Sequence, residues 1–193
     1  MSALILGLVL FLGMHSVRIV ADGTRSAFIA RRGAGAWKGL YSVVSLAGFA
    51  LILWGDGQAR LQPVVLWDSP LWTRHLAGAL MLPALVLLVA AQVPGNGIKA
   101  RVHHPQVLAV KTWALAHLLA NNTLADVLLF GGFGLWAVLD FRSARQRDRA
   151  AGTVYPPGQP ARTALVVVLG LALWAVFAFG AHQWLFGVRP FGR

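Results

Sequence analysis

The sequence predicts an all-α fold: a polytopic membrane helical bundle of about six transmembrane helices, forming one domain over residues 1–193. Three observations predict it. Of 193 residues, 58% are hydrophobic and 12% charged, with a mean hydropathy of +0.66, whereas about a quarter of an average soluble domain is charged. Apolar runs long enough to cross a bilayer recur along the chain. The connections between them are alternately rich and poor in Lys and Arg, as cytoplasmic and outer loops are. No polar stretch is long enough to bury a core of its own. With no cysteine, disulfides, thiolate metal sites and iron–sulfur clusters are excluded. The net charge of +11 sits beside apolar spans, where it anchors a membrane surface rather than a nucleic acid.

The first span runs from Ser2 to about Ala21. It lacks both a basic start and a small-residue cleavage motif, so it reads as a retained helix rather than a leader. A basic loop follows, ending in a Gly-rich stretch at Gly33, Gly35 and Gly39. The second span is about Gly39 to Gly55. The third, about Leu71 to Val93, starts after a Ser69-Pro70 turn and carries Pro83, which should kink it. The fourth is about Pro105 to Asn121, and the fifth about Thr123 to Leu139. The fifth contains Gly131-Gly132-Phe133-Gly134, a run that allows close helix contact. The sixth is about Ala164 to Phe186.

Charge then orients the bundle. The first, third and fifth loops hold five, two and five basic residues, twelve of the seventeen Lys and Arg. The outer side holds only Arg60, Arg74, Arg189 and Arg193, with Lys111 left inside a span. Both termini are therefore expected outside a bacterial inner membrane, with the lipid bilayer as the first partner.

Ionisable residues at membrane depth are costly and point to a functional site facing the protein interior. They concentrate in His103–Asp126, which carries His103, His104, Lys111, His117, Asn121 and Asp126. His15 adds a lone imidazole to the first span. Each imidazole reads equally as a helix-packing hydrogen bond or as a ligand to a metal or haem iron. Asn121 lies four residues after His117, on the same helical face, as a hydrogen-bond partner beside that ring. Lys111 is available to a haem carboxylate or, across the hairpin, to Asp126. His103 and His104 sit at a boundary beside Arg101 and read as interfacial. His75 and His182 lie near outer ends, and with His117 they form an alternative cluster. No phosphate loop, metalloprotease His-Glu motif or nucleophile elbow is present. This pattern suits a cofactor or a small apolar ligand better than hydrolysis.

Gly13-Met14-His15-Ser16, His104-Pro105-Gln106 and the stretch Trp113 to Asn121 resemble the NnrU family of bacterial membrane proteins over nearly the whole chain. They are also similar to the membrane domain of 15-cis-zeta-carotene isomerase, which uses haem b held by histidines. The resemblance implies haem b as cofactor, His15 and His117 as its axial ligands, and His104 beside the site. It implies a role in nitric oxide and nitrite metabolism of denitrifying bacteria, or in cis–trans isomerisation of an apolar polyene. A gaseous or small apolar ligand is the expected partner.

Helix geometry resists the ligand pair in part. At 1.5 Å per residue, His15 lies about 5 Å inward of the middle of its span and His117 about 6 Å outward of the middle of its own. Two axial imidazole nitrogens need to be about 4 Å apart, so side-chain reach, a tilted iron axis or a short fourth helix must absorb the offset. The His-Pro before a helical hairpin is similar to isoprenylcysteine methyltransferases too, which makes an S-adenosylmethionine-dependent methyltransferase the alternative enzyme. Those enzymes continue with acidic and aromatic cofactor contacts where this tail is Arg-rich. A non-catalytic assembly or regulatory protein is the third reading.

Overall fold

The computed structural model describes residues 1–191, and its elements are helices from end to end. In chain order they are α1 (Ser2–Val20), α2 (Asp22–Leu61), α3 (Leu71–Gln92), the short α4 (Gly97–Val102), α5 (Pro105–Ala120), α6 (Leu124–Ala151) and α7 (Pro160–Val176). A π-helical turn, Phe177–Ala181, leads from α7 into α8 (His182–Phe186). Arg193 lies outside the described residues. Five segments are long and apolar enough to cross a membrane: α1, α2, α3, α6 and the continuous run Pro160–Phe186.

The expected fourth span is α5, and it has only 16 residues. Its length of roughly 24 Å falls short of the roughly 30 Å hydrocarbon core of a bilayer. Both ends are fixed locally. His103 takes a left-handed φ of 70°, Pro105 occupies the first helical turn, and Asn121 returns the chain to extended backbone. Because α5 packs between α3 and α6, its polar ends are screened by protein.

Two expected loops are helical instead. The basic segment after α1 is the first part of α2, broken at Gly33 (φ 85°), where only glycine avoids a Cβ penalty. The Arg-rich segment after Leu139 continues α6 to Ala151, closed by Gly152 in the left-handed region. Hydropathy marks only the apolar part of each helix, so a helix that projects from the membrane reads as a loop. Pro83 lies within α3, which continues through it.

Links tie the two ends of the bundle. At the far end, Leu66 N–H donates to the Asn122 carbonyl (2.8 Å) and Leu124 N–H to that of Val64 (2.9 Å). At the opposite end, Asn96 is buried. Its amide donates to the Ala90 carbonyl (2.9 Å) and accepts from Lys99 N–H (2.8 Å). Gln159 N–H donates to the Gly95 carbonyl (2.8 Å), so the turn after α3 is locked to the link before α7. Arg18, Lys99, Arg101 and the arginines of α6 belong to this second end, called the basic end below.

The closest helix contact is between α1 and α2, not at Gly131–Gly134. A Cβ on Gly7 would lie 2.6 Å from Ile52 N, on Gly48 2.7 Å from Phe11 N, and on Gly55 2.3 Å from Leu4 N. Gly131 has nothing within 4 Å, and Gly132 and Gly134 meet only side-chain atoms of Leu12, Leu8 and Ala114, at 3.3 Å or more. Lipid tails offer no hydrophobic drive for helix association, so backbone approach through small residues supplies it. Gly55→Ala is expected to lower unfolding stability in detergent by about 1–3 kcal/mol, because two backbones must part. Gly131→Ala should leave the melting temperature unchanged. Equal melting curves for the two variants would refute the placement of the seam.

Candidate functional site

The basic end encloses a cavity of about 510 Å³, within the range typical of cofactor sites. Helices α1, α2, α5 and α6 wall it. Met14, Val17, Val107 and Val110 give it an apolar surface, and Trp37, Tyr41 and Trp136 add aromatic faces. Toward the basic end the lining changes to Arg18, Arg25, Lys99 and Arg147, with Asp140 the one carboxylate. His15, His103 and His104 line the same space.

His15 projects from α1 between Phe11 (ring centroids 4.1 Å, stacked), Tyr41 (5.0 Å) and Trp136 (6.0 Å). Its Nδ1 donates to the Phe11 carbonyl one turn earlier (2.7 Å). A carbonyl only accepts, so the proton is on Nδ1 and Nε2 is left with its lone pair. That is the arrangement of a metal-ligating imidazole, whose second nitrogen is anchored by an outer acceptor. Trp136 adds a buried indole N–H with no hydrogen-bond partner among the described residues.

His117 has the same local geometry, with Nδ1 donating to the Trp113 carbonyl (2.9 Å). Its surroundings differ. The ring stacks on Phe130 (4.6 Å) and lies against Trp113 (5.1 Å), and it does not line the cavity. Phe11 touches Phe133 (5.6 Å), which touches Trp113 (5.6 Å). A column of rings therefore fills the space between the two imidazoles. Their contacts on α6, Trp136 and Phe130, are six residues apart, about 9 Å of helical rise. The offset counted from the sequence persists, and a porphyrin bridging His15 and His117 would occupy the space these rings fill.

The other candidates separate as well. Asn121 Nδ2 donates to the His117 backbone carbonyl (2.8 Å) and caps α5 rather than touching the imidazole. Lys111 is exposed on α5, away from the cavity. It forms no ion pair with Asp126, which closes a capping box with Thr123 at the start of α6. In an antiparallel hairpin, a residue ten before the turn and one just after it stand at different heights. His75 stacks on Phe191 (6.0 Å) and His182 Nδ1 meets the Val188 carbonyl (2.7 Å). Among the described residues no group of three or more His, Asp or Glu is placed to hold a bare metal ion.

His104 is more than an interfacial residue. Its Nε2 bonds Asp148 Oδ2 (2.7 Å), which also accepts from Tyr155 OH (3.0 Å). His103 stacks on Tyr155 (4.0 Å) and contacts Arg145. Burial first, and then the Asp148 carboxylate, raise Tyr155 above the ordinary phenol value, so the hydroxyl stays protonated and donating through physiological pH. Sequence separation hid this group. Its one signal was Asp140 and Asp148 standing amid an arginine run. Removing both His104 and Asp148 should reveal coupling of about 1–2 kcal/mol in a double-mutant cycle of unfolding stability, and additive losses would count against the pairing. Lys111→Gln should shift stability by less than about 0.5 kcal/mol.

A family model described as NnrU protein matches residues 3–190. No curated protein and no solved structure matches.

Proposed function

We propose, from the premise that this chain belongs to the NnrU family, that it is a membrane haem b protein with His15 as the iron ligand in the cavity at the basic end. One observation carries the reading. His15 is anchored through Nδ1 on the Phe11 carbonyl and lines a space of about 510 Å³ with both apolar and basic side chains in its wall, while Nε2 is left for a metal. The partnerless indole N–H of Trp136 on the same wall suits a site whose occupant brings its own acceptors. When bound, haem would supply an iron able to take a diatomic gas or to polarise a conjugated double bond.

The chain's own residues set what such a site can do. His104 Nε2 is held by Asp148, and the His103 ring is stacked on Tyr155 with its Nδ1 against Arg145, so both nearby imidazoles are already engaged. A single strong ligand favours an open face, and hence binding of nitric oxide or of an apolar polyene, over simple electron transfer. Trp37, Tyr41 and the valines of α5 would give a bound ring an apolar and aromatic wall. By the positive-inside rule the basic end is cytoplasmic in a bacterial inner membrane, with Met1 and Phe186 toward the outer face.

Pairing His15 with His117 remains the second arrangement, favoured by the matching Nδ1 anchor on His117. It requires Phe11, Phe133 and Trp113 to swing aside. Absorption spectra of the purified protein supplied with haem b decide between them. Wild type should show a Soret band, His15→Ala should lose it, and His117→Ala should keep it with unchanged far-UV circular dichroism. Loss in folded His117→Ala transfers support to the paired arrangement, and no band in wild type ends the haem reading.

A further inference from the structure

We infer that the basic mouth of the cavity binds the two carboxylates of the porphyrin, with Arg18 as the principal anchor and Arg25 and Arg147 beside it. The inference rests on the haem reading and names which residues hold the charged edge of the group.

Position comes first. Arg18 follows His15 by three residues on α1, so the two share a face, with Arg18 roughly 4.5 Å nearer the basic end. Both line the cavity. An occupant ligated at His15 and lying along the apolar wall meets Arg18 at its edge.

Charge balance comes second. Arg18, Arg25, Lys99 and Arg147 face a single lining carboxylate, Asp140. Asp22, outside the lining, pairs with Arg25 (3.1 Å). Even counting Asp22, two positive charges remain over, the number that two carboxylates neutralise. Arg18 has no carboxylate within 4 Å among the described residues. The Arg147–Asp140 contact is long (3.9 Å), and Lys99 Nζ is already held by the Ala91 carbonyl (3.2 Å). Arg18 is exposed at the mouth and Arg25 and Arg147 are part-exposed, so these guanidiniums can turn toward a negative edge presented there. Arginine also offers the planar fork that fits a carboxylate in bidentate fashion.

The test compares haem b with its dimethyl ester, which keeps the ring and iron and removes both negative charges. Each is titrated into purified protein in neutral detergent, so that anionic headgroups do not compete, and binding is followed by the His15-dependent Soret band. Free-acid haem should bind about tenfold or more tightly than the ester. Arg18→Gln should abolish most of that preference by weakening the free acid alone, and Arg18→Lys should restore part of it. Equal affinity for acid and ester in wild type overturns the inference and leaves haem binding at His15 standing. A preference unchanged in Arg18→Gln overturns the assignment to Arg18. No Soret band with either compound sinks the haem reading, and the inference with it. The wild-type comparison needs no variant to fold.

Discussion

An imidazole inside an apolar bundle must give its N–H to something, and the nearest acceptor is the carbonyl one turn back on its own helix. His15 and His117 both take it. That one local bond sets the tautomer, fixes the ring's direction and leaves Nε2 without its proton. From there the two residues part company according to what their neighbours place in front of Nε2. At His117 the neighbours are rings, and the imidazole becomes another plate in an aromatic stack. At His15 the stack ends, and the space beyond is open toward charged residues. The same chemistry at two depths thus yields one packing residue and one candidate ligand.

The charged end gives that space its second character. Arginines of α6 and the first part of α2 gather there because a bilayer tolerates them only at its surface. Three of them have local partners: Arg25 with Asp22, Arg147 with Ser143 (2.6 Å), and Arg145 with Asp148 (3.6 Å). The His104–Asp148–Tyr155 group stands on the α5–α6 side, and Asp148 turns to it and to Arg145 rather than lining the cavity. Arg18 of α1, with no carboxylate within 4 Å among the described residues, joins Arg25 and Arg147 in the lining. The space therefore combines apolar and cationic side chains.

Much of the fold was legible because hydropathy and charge asymmetry report the membrane directly. Three of the five long apolar segments fall where the runs of apolar residues put them, while α2 extends past its apolar core at both ends and α6 past its own at the C-terminal end. The basic end is the one the arginines named. The misread parts share a cause: Asp22–Arg32 and Arg142–Ala151 are helical but not apolar, and periodicity in a short basic segment carries little signal. For the site, His15 was legible as a lone imidazole, and so was its axial offset from His117. What the sequence did not contain was the content of the gap. Phe11, Phe133 and Trp113 come from three helices, and nothing in their spacing says that they meet. His104 and Asp148 are likewise brought together by tertiary packing, across 44 residues. Lys111 and Asp126 were the converse error, since nearness in sequence across a hairpin is not nearness in height.

The cavity follows from a change in residue size along one helix pair. Through Gly7, Gly48 and Gly55 the backbones of α1 and α2 meet almost without side chains between them. Toward the basic end the pair instead sets His15 on α1 against Tyr41 on α2, with ring centroids 5.0 Å apart, and both, with Trp37, line the cavity. α5 and α6 complete the wall of the cavity, with His104 and Pro105 at the start of α5 among its lining. The contacts that hold α1 to α2 through Gly7, Gly48 and Gly55 lie away from the cavity, whose lining takes His15 and Arg18 from the same α1.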